Sequence, residues 1–224
     1  MKTIGILGGL GPESTAAYYN YITRKYYELK HDYAYPQIII NSLSFKPVID
    51  EKYTCAPMVA QAVQALARAG ADFVVAACNS IHVVYDQVAP KASIPWVSIM
   101  SAVAEKAKAQ GMRKVALLGT IFTMQGSFYR NAFDACQLDL ITPDADDQRQ
   151  VNRIIYDELV LGVVRPESRE VVLGIIDKLG KAGAQGVILG CTELPFLIQS
   201  EHTNMPVLDS TVIHAQKALD LAIA

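Results

Sequence analysis

The chain has 224 residues, 51% of them hydrophobic, and a formal net charge of −2. That is enough apolar material for one large core or two smaller ones, and it lacks the basic excess that nucleic acid or an anionic membrane surface demands, which leaves a small molecule as the expected partner. No apolar stretch reaches the roughly 18 residues of a membrane span, and the short glycine-rich run after Met1 ends in Pro12-Glu13 without a small-residue cleavage pattern, so the expected address is the cytoplasm.

In chain order, strand-length apolar runs predict buried strands at residues 3–7, 37–41, 72–77, 96–99, 114–118, 138–142, 185–189 and 206–208. Helical spacing occupies residues 14–27, 56–69, 100–110, 125–135, 147–161 and 167–182, and a last helix starts at Thr211. Alternation of the two predicts an α/β protein with mostly parallel sheets flanked by helices, its ligands lying beyond the carboxyl ends of the strands.

The chain also repeats itself. Leu66-Ala67-Arg68-Ala69-Gly70-Ala71-Asp72-Phe73-Val74-Val75-Ala76-Ala77-Cys78-Asn79 aligns without a gap with Leu179-Gly180-Lys181-Ala182-Gly183-Ala184-Gln185-Gly186-Val187-Ile188-Leu189-Gly190-Cys191-Thr192, 113 residues further on. Thr3-Ile4-Gly5-Ile6-Leu7-Gly8 aligns with Lys114-Val115-Ala116-Leu117-Leu118-Gly119 at 111, and Tyr18 with Tyr129 and Ile94-Pro95 with Met205-Pro206 share that spacing. Three anchors at nearly one offset indicate an internal duplication. The expected result is two similar α/β domains, residues 1–99 plus 207–224 and residues 100–206, with the active site between them.

Four cysteines, Cys55, Cys78, Cys136 and Cys191, include no C-x-x-C pair, and a chain with a full core in a reducing compartment keeps them as thiols. Cys55 and Cys136 have no counterpart in the repeat and read as small buried hydrophobes. Cys78 and Cys191 each follow a predicted strand at the turn into a helix, in Cys78-Asn79-Ser80 and Cys191-Thr192-Glu193, where helix N-terminal amides favour a thiolate. Two halves related by a pseudo-twofold would bring both thiols to one ligand from opposite sides. Inverting a tetrahedral carbon needs that arrangement, one group removing a proton from one face and the other returning a proton to the opposite face.

Other residues read less sharply. The stretch Gly8-Gly9-Leu10-Gly11-Pro12 offers backbone amides to a carboxylate, since both the P-loop lysine and the full dinucleotide fingerprint are missing. Its counterpart, Gly119-Thr120-Ile121-Phe122-Thr123, offers hydroxyls. His82, four residues past Cys78, either tunes that thiol or packs the helix. Glu193 either orients a substrate ammonium or caps its helix. His31, His202 and His214 show no metal-ligand spacing, and the tyrosines of residues 18–27 read as core and helix surface.

In Gly5-Ile6-Leu7-Gly8-Gly9-Leu10-Gly11-Pro12, Ala77-Cys78-Asn79-Ser80-Ile81-His82 and Gly190-Cys191-Thr192-Glu193-Leu194 the chain resembles the aspartate/glutamate racemase family over nearly its whole length. The resemblance implies two α/β domains, a homodimer, and racemisation without pyridoxal phosphate or any other cofactor or metal, with Cys78 and Cys191 as paired acid and base. It also implies that Asn79, Ser80 and Thr192 hold the substrate's amino and carboxylate groups, with Leu10, Thr120 and Thr123 nearby. Aspartate-specific members carry an arginine and a lysine for the side-chain carboxylate. Here the corresponding neighbourhoods read Phe45-Lys46-Pro47-Val48 and Leu159-Val160-Leu161, with only Lys46 or Lys52 at hand to pair an acid. An unpaired buried carboxylate costs several kcal/mol. The stretches Gly119-Thr120-Ile121-Phe122-Thr123-Met124 and Asn152-Arg153-Ile154-Ile155-Tyr156-Asp157-Glu158-Leu159 resemble the broad-specificity branch, and a broad or uncharged side-chain preference is expected.

Two other readings keep the same residues. A cis-trans isomerase of a small diacid would use both cysteines by covalent addition, and an inactive metabolite-binding regulator would use neither. Decarboxylases of similar sequence keep only the second cysteine, and the presence of Cys78 argues against them.

Overall fold

The computed structural model describes residues 1–44, 46 and 55–224. They divide into two compact units, residues 1–102 with 211–224, and residues 103–210.

The first unit is built on β1 (Ile4–Gly8), β2 (Ile38–Ser42), β3 (Phe73–Ala76) and β4 (Trp96–Val97), all parallel in the order β2-β1-β3-β4. The central strands β1 and β3 are apolar and buried along their length because helices cover both faces, while the edge strand β2 is part-exposed and ends in Asn41 and Ser42. Side chains alternate across the sheet. Leu7, Val74 and Ala76 meet Val59, Ala62, Val63 and Leu66, one stripe of α2 (Ala56–Arg68), on one face. On the other, Ile4, Ile6, Phe73 and Val75 meet Tyr18, Ile22 and Tyr26 of α1 (Pro12–Lys30) together with Ala215, Ala218, Leu219 and Ala222 of the final helix, α10 (Ser210–Ile223). Between β3 and β4 lie a 3-10 turn (Ser80–Val84), the short α3 (Tyr85–Val88) and a second 3-10 turn (Ala89–Lys91).

The second unit repeats this frame. After α4 (Ile99–Ala109), the strands β5 (Lys114–Leu118), β6 (Asp139–Ile141), β7 (Val187–Leu189) and β8 (Val207–Asp209) pair in parallel in the order β6-β5-β7-β8. The register repeats as well as the order. Leu7 pairs with Ala76 in the first sheet and Leu118 with Leu189 in the second, the same positions displaced by the two offsets seen in the sequence. Likewise Val74 opposite Trp96 becomes Val187 opposite Val207. One face of this sheet is packed by Val151, Ile154 and Ile155 of α7 (Ala145–Asp157) and by Val172, Ile175, Ile176 and Leu179 of α8 (Pro166–Lys181).

The observed elements correct the sequence reading in three places. Residues 207–209, placed above in the first domain, form β8 of the second sheet, because their ladder runs along β7. The helix expected at residues 125–135 starts two residues later, as α6 (Ser127–Ala135), and is preceded by an unexpected short helix, α5 (Ile121–Gln125), the two being separated by Gly126, which is extended at φ −66 and ψ 146. A Cβ there would overlap the Phe128 ring. The helix expected over 147–161 starts at Ala145, capped by Asp144 accepting the N–H groups of Asp146 and Asp147 at 3.0 Å, and ends at Asp157 before a 3-10 turn (Leu159–Leu161).

Candidate active site

In each sheet the chain leaves the two central strands in opposite directions, β1 toward β2 and β3 toward β4, β5 toward β6 and β7 toward β8. The loops diverge at the carboxyl ends and open a crevice at this topological switch point. Cys78 follows β3 and Cys191 follows β7, so each thiol lies at the crevice of its own sheet.

In the first unit the opposing loop runs from Gly8 to Pro12. Gly9 sits at φ +79, and a Cβ there would overlap the Leu43 carbonyl oxygen, so the position requires glycine. Its N–H donates to Thr15 Oγ1 at 2.9 Å, and Pro12 at the start of α1 has no N–H, so two of the amides expected to cradle a carboxylate are not available for one. Leu10 is buried and shares an apolar cluster with Leu7, Ala76 and Ile81, against which Cys78 packs. Asn79 is buried, and Cys78 and Ser80 are half-buried.

His82 is 1% exposed. Its Nε2 accepts the Ile99 N–H at 3.3 Å, so its other nitrogen, Nδ1, carries the proton and donates to the Cys78 carbonyl at 2.9 Å. Burial lowers its pKa to about 4, which keeps the ring neutral. It stacks on Tyr85 and leans on Trp96. Both ring nitrogens are thus spent on backbone groups. His82 holds the backbone of the thiol turn and has no lone pair left for the sulfur.

Beside it is a group the sequence did not reveal. His214 Nδ1 lies 2.7 Å from Tyr18 Oη and its Nε2 3.0 Å from the Val97 carbonyl; since a carbonyl only accepts, Nε2–H donates there and Nδ1 takes the tyrosine proton. Burial, and secondarily His82, lower the His214 pKa to about 3. Tyr18 and His214 are 196 residues apart, and no local spacing points from one to the other.

In the second unit Thr120 caps α5, its Oγ1 accepting the Thr123 N–H at 3.3 Å and lying 3.2 Å from the Thr123 hydroxyl. Thr123 is 1% exposed and packs where a Cβ on Gly119 or Gly190 would stand. These two threonines therefore shape the turn around its glycines. Asn152, also missed, accepts the Ile121 N–H at 2.9 Å and ties the same turn to α7.

Cys191, Thr192 and Glu193 are half-buried. The Cys191 thiol donates to Glu193 Oε2 at 2.8 Å, and the Thr192 hydroxyl donates to the same oxygen at 2.9 Å. Glu193 makes no side-chain cap to α9 (Leu194–Leu197), which rules out one of its two expected roles. The expected help from helix dipoles is also weakened, because Cys78 and Cys191 precede a five-residue 3-10 turn and a four-residue helix, too short to sum much of a dipole.

Of the remaining candidates, Cys55 is 1% exposed in the core over α2, and Cys136 ends α6. Lys46 is exposed, while Lys52 lies outside the described residues. His31 ends α1 and His202 accepts the Gln199 N–H. Among the described residues no group of three His, Cys, Asp or Glu side chains comes together as a metal site, and no helix is long and apolar enough to cross a membrane.

The family model for Asp/Glu/hydantoin racemases matches residues 7–218. A candidate Asp/Glu racemase from Yersinia pestis superposes with a TM-score of 0.95 at 36% identity, covering all of both chains. An aspartate racemase homologue from Pyrococcus horikoshii OT3 does so at 0.89 and 38%, again over all of both chains. In sequence, the broad specificity amino-acid racemase RacX of Bacillus subtilis is 25% identical over 99% of this chain and 98% of its own length.

Proposed function

Because the chain belongs to the Asp/Glu/hydantoin racemase family, we propose that it is an amino-acid racemase, an isomerase that works without pyridoxal phosphate through Cys78 and Cys191. The observation that carries this reading is the matched placement of the two thiols, each at the switch-point crevice after the third strand of a sheet whose order and register are the same in both units.

The chemistry requires one acid-base group per face of the α-carbon. From an L-substrate, Cys191 as thiolate takes the α-proton, and the electron pair passes into the substrate carboxylate as an enediolate. Cys78 then delivers its S–H proton to the opposite face, giving the D-enantiomer and leaving Cys78 as the thiolate, ready for the reverse reaction. Asn79, Ser80 and Thr192, beside the thiols, bind the amino and carboxylate groups. Leu10, Thr120 and Thr123 act by fixing the loops, which is all that their burial and internal bonds support. No cofactor or metal enters this scheme, and a homodimer in the cytoplasm goes with it.

A broad or uncharged side-chain preference fits best. The full-length relative is named for broad specificity, and the turn Leu159–Leu161 after α7 is apolar, with Arg165 further on lying within ion-pair range of Glu158.

A screen of L-amino acids for loss of optical rotation, without added pyridoxal phosphate and with a chelator present, tests the activity. In heavy water, early D-product should carry deuterium at the α-carbon while the remaining L-pool stays nearly unlabelled. An L-pool labelled as fast as D-product forms would mean a single base, and the two-thiol mechanism would fail.

A further inference from the structure

The two thiols do not have equivalent surroundings. At Cys191 a carboxylate oxygen lies 2.8 Å from the sulfur and also receives the Thr192 hydroxyl. At the position 113 residues earlier the carboxylate is replaced by Ser80, which cannot take a proton from a thiol, and the nearby imidazole of His82 is committed to backbone groups on both sides. The cap role that would otherwise explain Glu193 is not made.

We propose that Glu193 is a positioning residue that shares the Cys191 proton. The thiol and the carboxylate form one pair with a single negative charge, and the proton passes from Sγ to Oε2 when Cys191 is to act as a base. The transfer is balanced, since the S–H bond breaks as the Oε2–H bond forms and the pair's charge is unchanged. Holding both groups ionised 2.8 Å apart is what the shared proton avoids. Thr192 keeps the acceptor oxygen turned toward sulfur. Ionisable groups on the elements packed about this turn include Asp209 at the end of β8, Arg169, whose Nε donates to the Leu197 carbonyl, Glu158, which accepts from Ser168 with Arg153 and Arg165 within ion-pair range, and the Lys178–Asp147 pair joining α8 to α7. The proton sharing stands apart from the racemase reading, while its use in turnover rests on it.

The test is iodoacetamide alkylation of the folded protein across a pH series, with each cysteine quantified by peptide mapping. In Glu193→Gln the neighbouring negative charge is gone and the thiolate at Cys191 should form at a pH lower by about one unit or more. The Cys78 and Cys136 profiles should not move, and Glu193→Asp should stay near wild type. An unmoved Cys191 profile, or one that moves with every other thiol, overturns the proposal. A second measurement needs only wild type and Cys191→Ser. The S–H infrared band lost in Cys191→Ser should lie at the lowered frequency of a thiol bound to a carboxylate, and a band at the position of a free thiol overturns the proposal. Both readouts hold whether or not any amino acid is racemised, so their failure is distinct from failure of the proposed activity.

Discussion

The two sheets share strand order and register, yet the cysteine turns they carry are built differently. After β3 the turn is fixed through its backbone, the Cys78 carbonyl held by a neutral buried imidazole. After β7 it is fixed through its side chains, with the sulfur, a hydroxyl and a carboxylate bonded together. Duplication preserved the frame that places the sulfurs and let the groups around each sulfur diverge. A strand register is costly to change, because a one-residue slip turns every side chain to the other face. A turn at the rim carries no such penalty.

The largest effect that would break this comparison is loss of either sulfur. Cys78→Ala and Cys191→Ala should each lower turnover by roughly 10²–10⁴-fold, the usual cost of a missing acid-base group, while circular dichroism stays native. Retention of most activity by Cys191→Ala would show that only one turn is chemical.

Next comes acidity. His82 and His214 are neutral when folded, with pKa values lowered to about 4 and about 3, against 6.5 in an unfolded chain. As pH falls through 6.5 the unfolded state binds protons that the native state refuses, so stability drops by up to about 1.4 kcal/mol per pH unit for each ring. The loss levels off below about 4 for His82 and about 3 for His214. Melting temperatures between pH 7.5 and 4.5 should fall less steeply in His82→Gln than in wild type. Equal slopes would mean the imidazole that holds the first turn is not the buried neutral group described.

The smallest effects concern the other two cysteines. Cys55→Ser places a hydroxyl in the core over α2 and should cost about 1–3 kcal/mol in denaturant unfolding, with activity per folded molecule intact. Cys136→Ser, at the end of α6, should leave both stability and activity within error.

Much of the frame was legible in the sequence because buried parallel strands are continuous apolar runs, and those runs recur at two constant offsets. The same pattern located both thiols. What it could not give were groups defined by contact. Tyr18 and His214 meet through a helix that returns from the far end of the chain. The bond from Cys191 to Glu193 depends on side-chain rotamers within a turn, which no periodicity encodes. The short α5 is not legible in the sequence because five residues capped by Thr120 are too few for helical spacing to show, and it is set off from α6 by the extended Gly126, beside which the Phe128 ring fills the space.

The return of α10 also bears on how the chain folds as it is synthesised. Its buried alanines and Leu219 complete the core around Ile4, Ile6 and Tyr18, and the Lys2 N–H donates to the Ala222 carbonyl at 2.9 Å. Residues 103–210 form a contiguous unit and can fold as soon as they leave the ribosome. The first unit, although made first, has to wait for Ser210–Ile223 with one face of its sheet incompletely covered. The order of synthesis is therefore the reverse of the order of completion, and the nascent first sheet is the part of the molecule that most needs protection from aggregation.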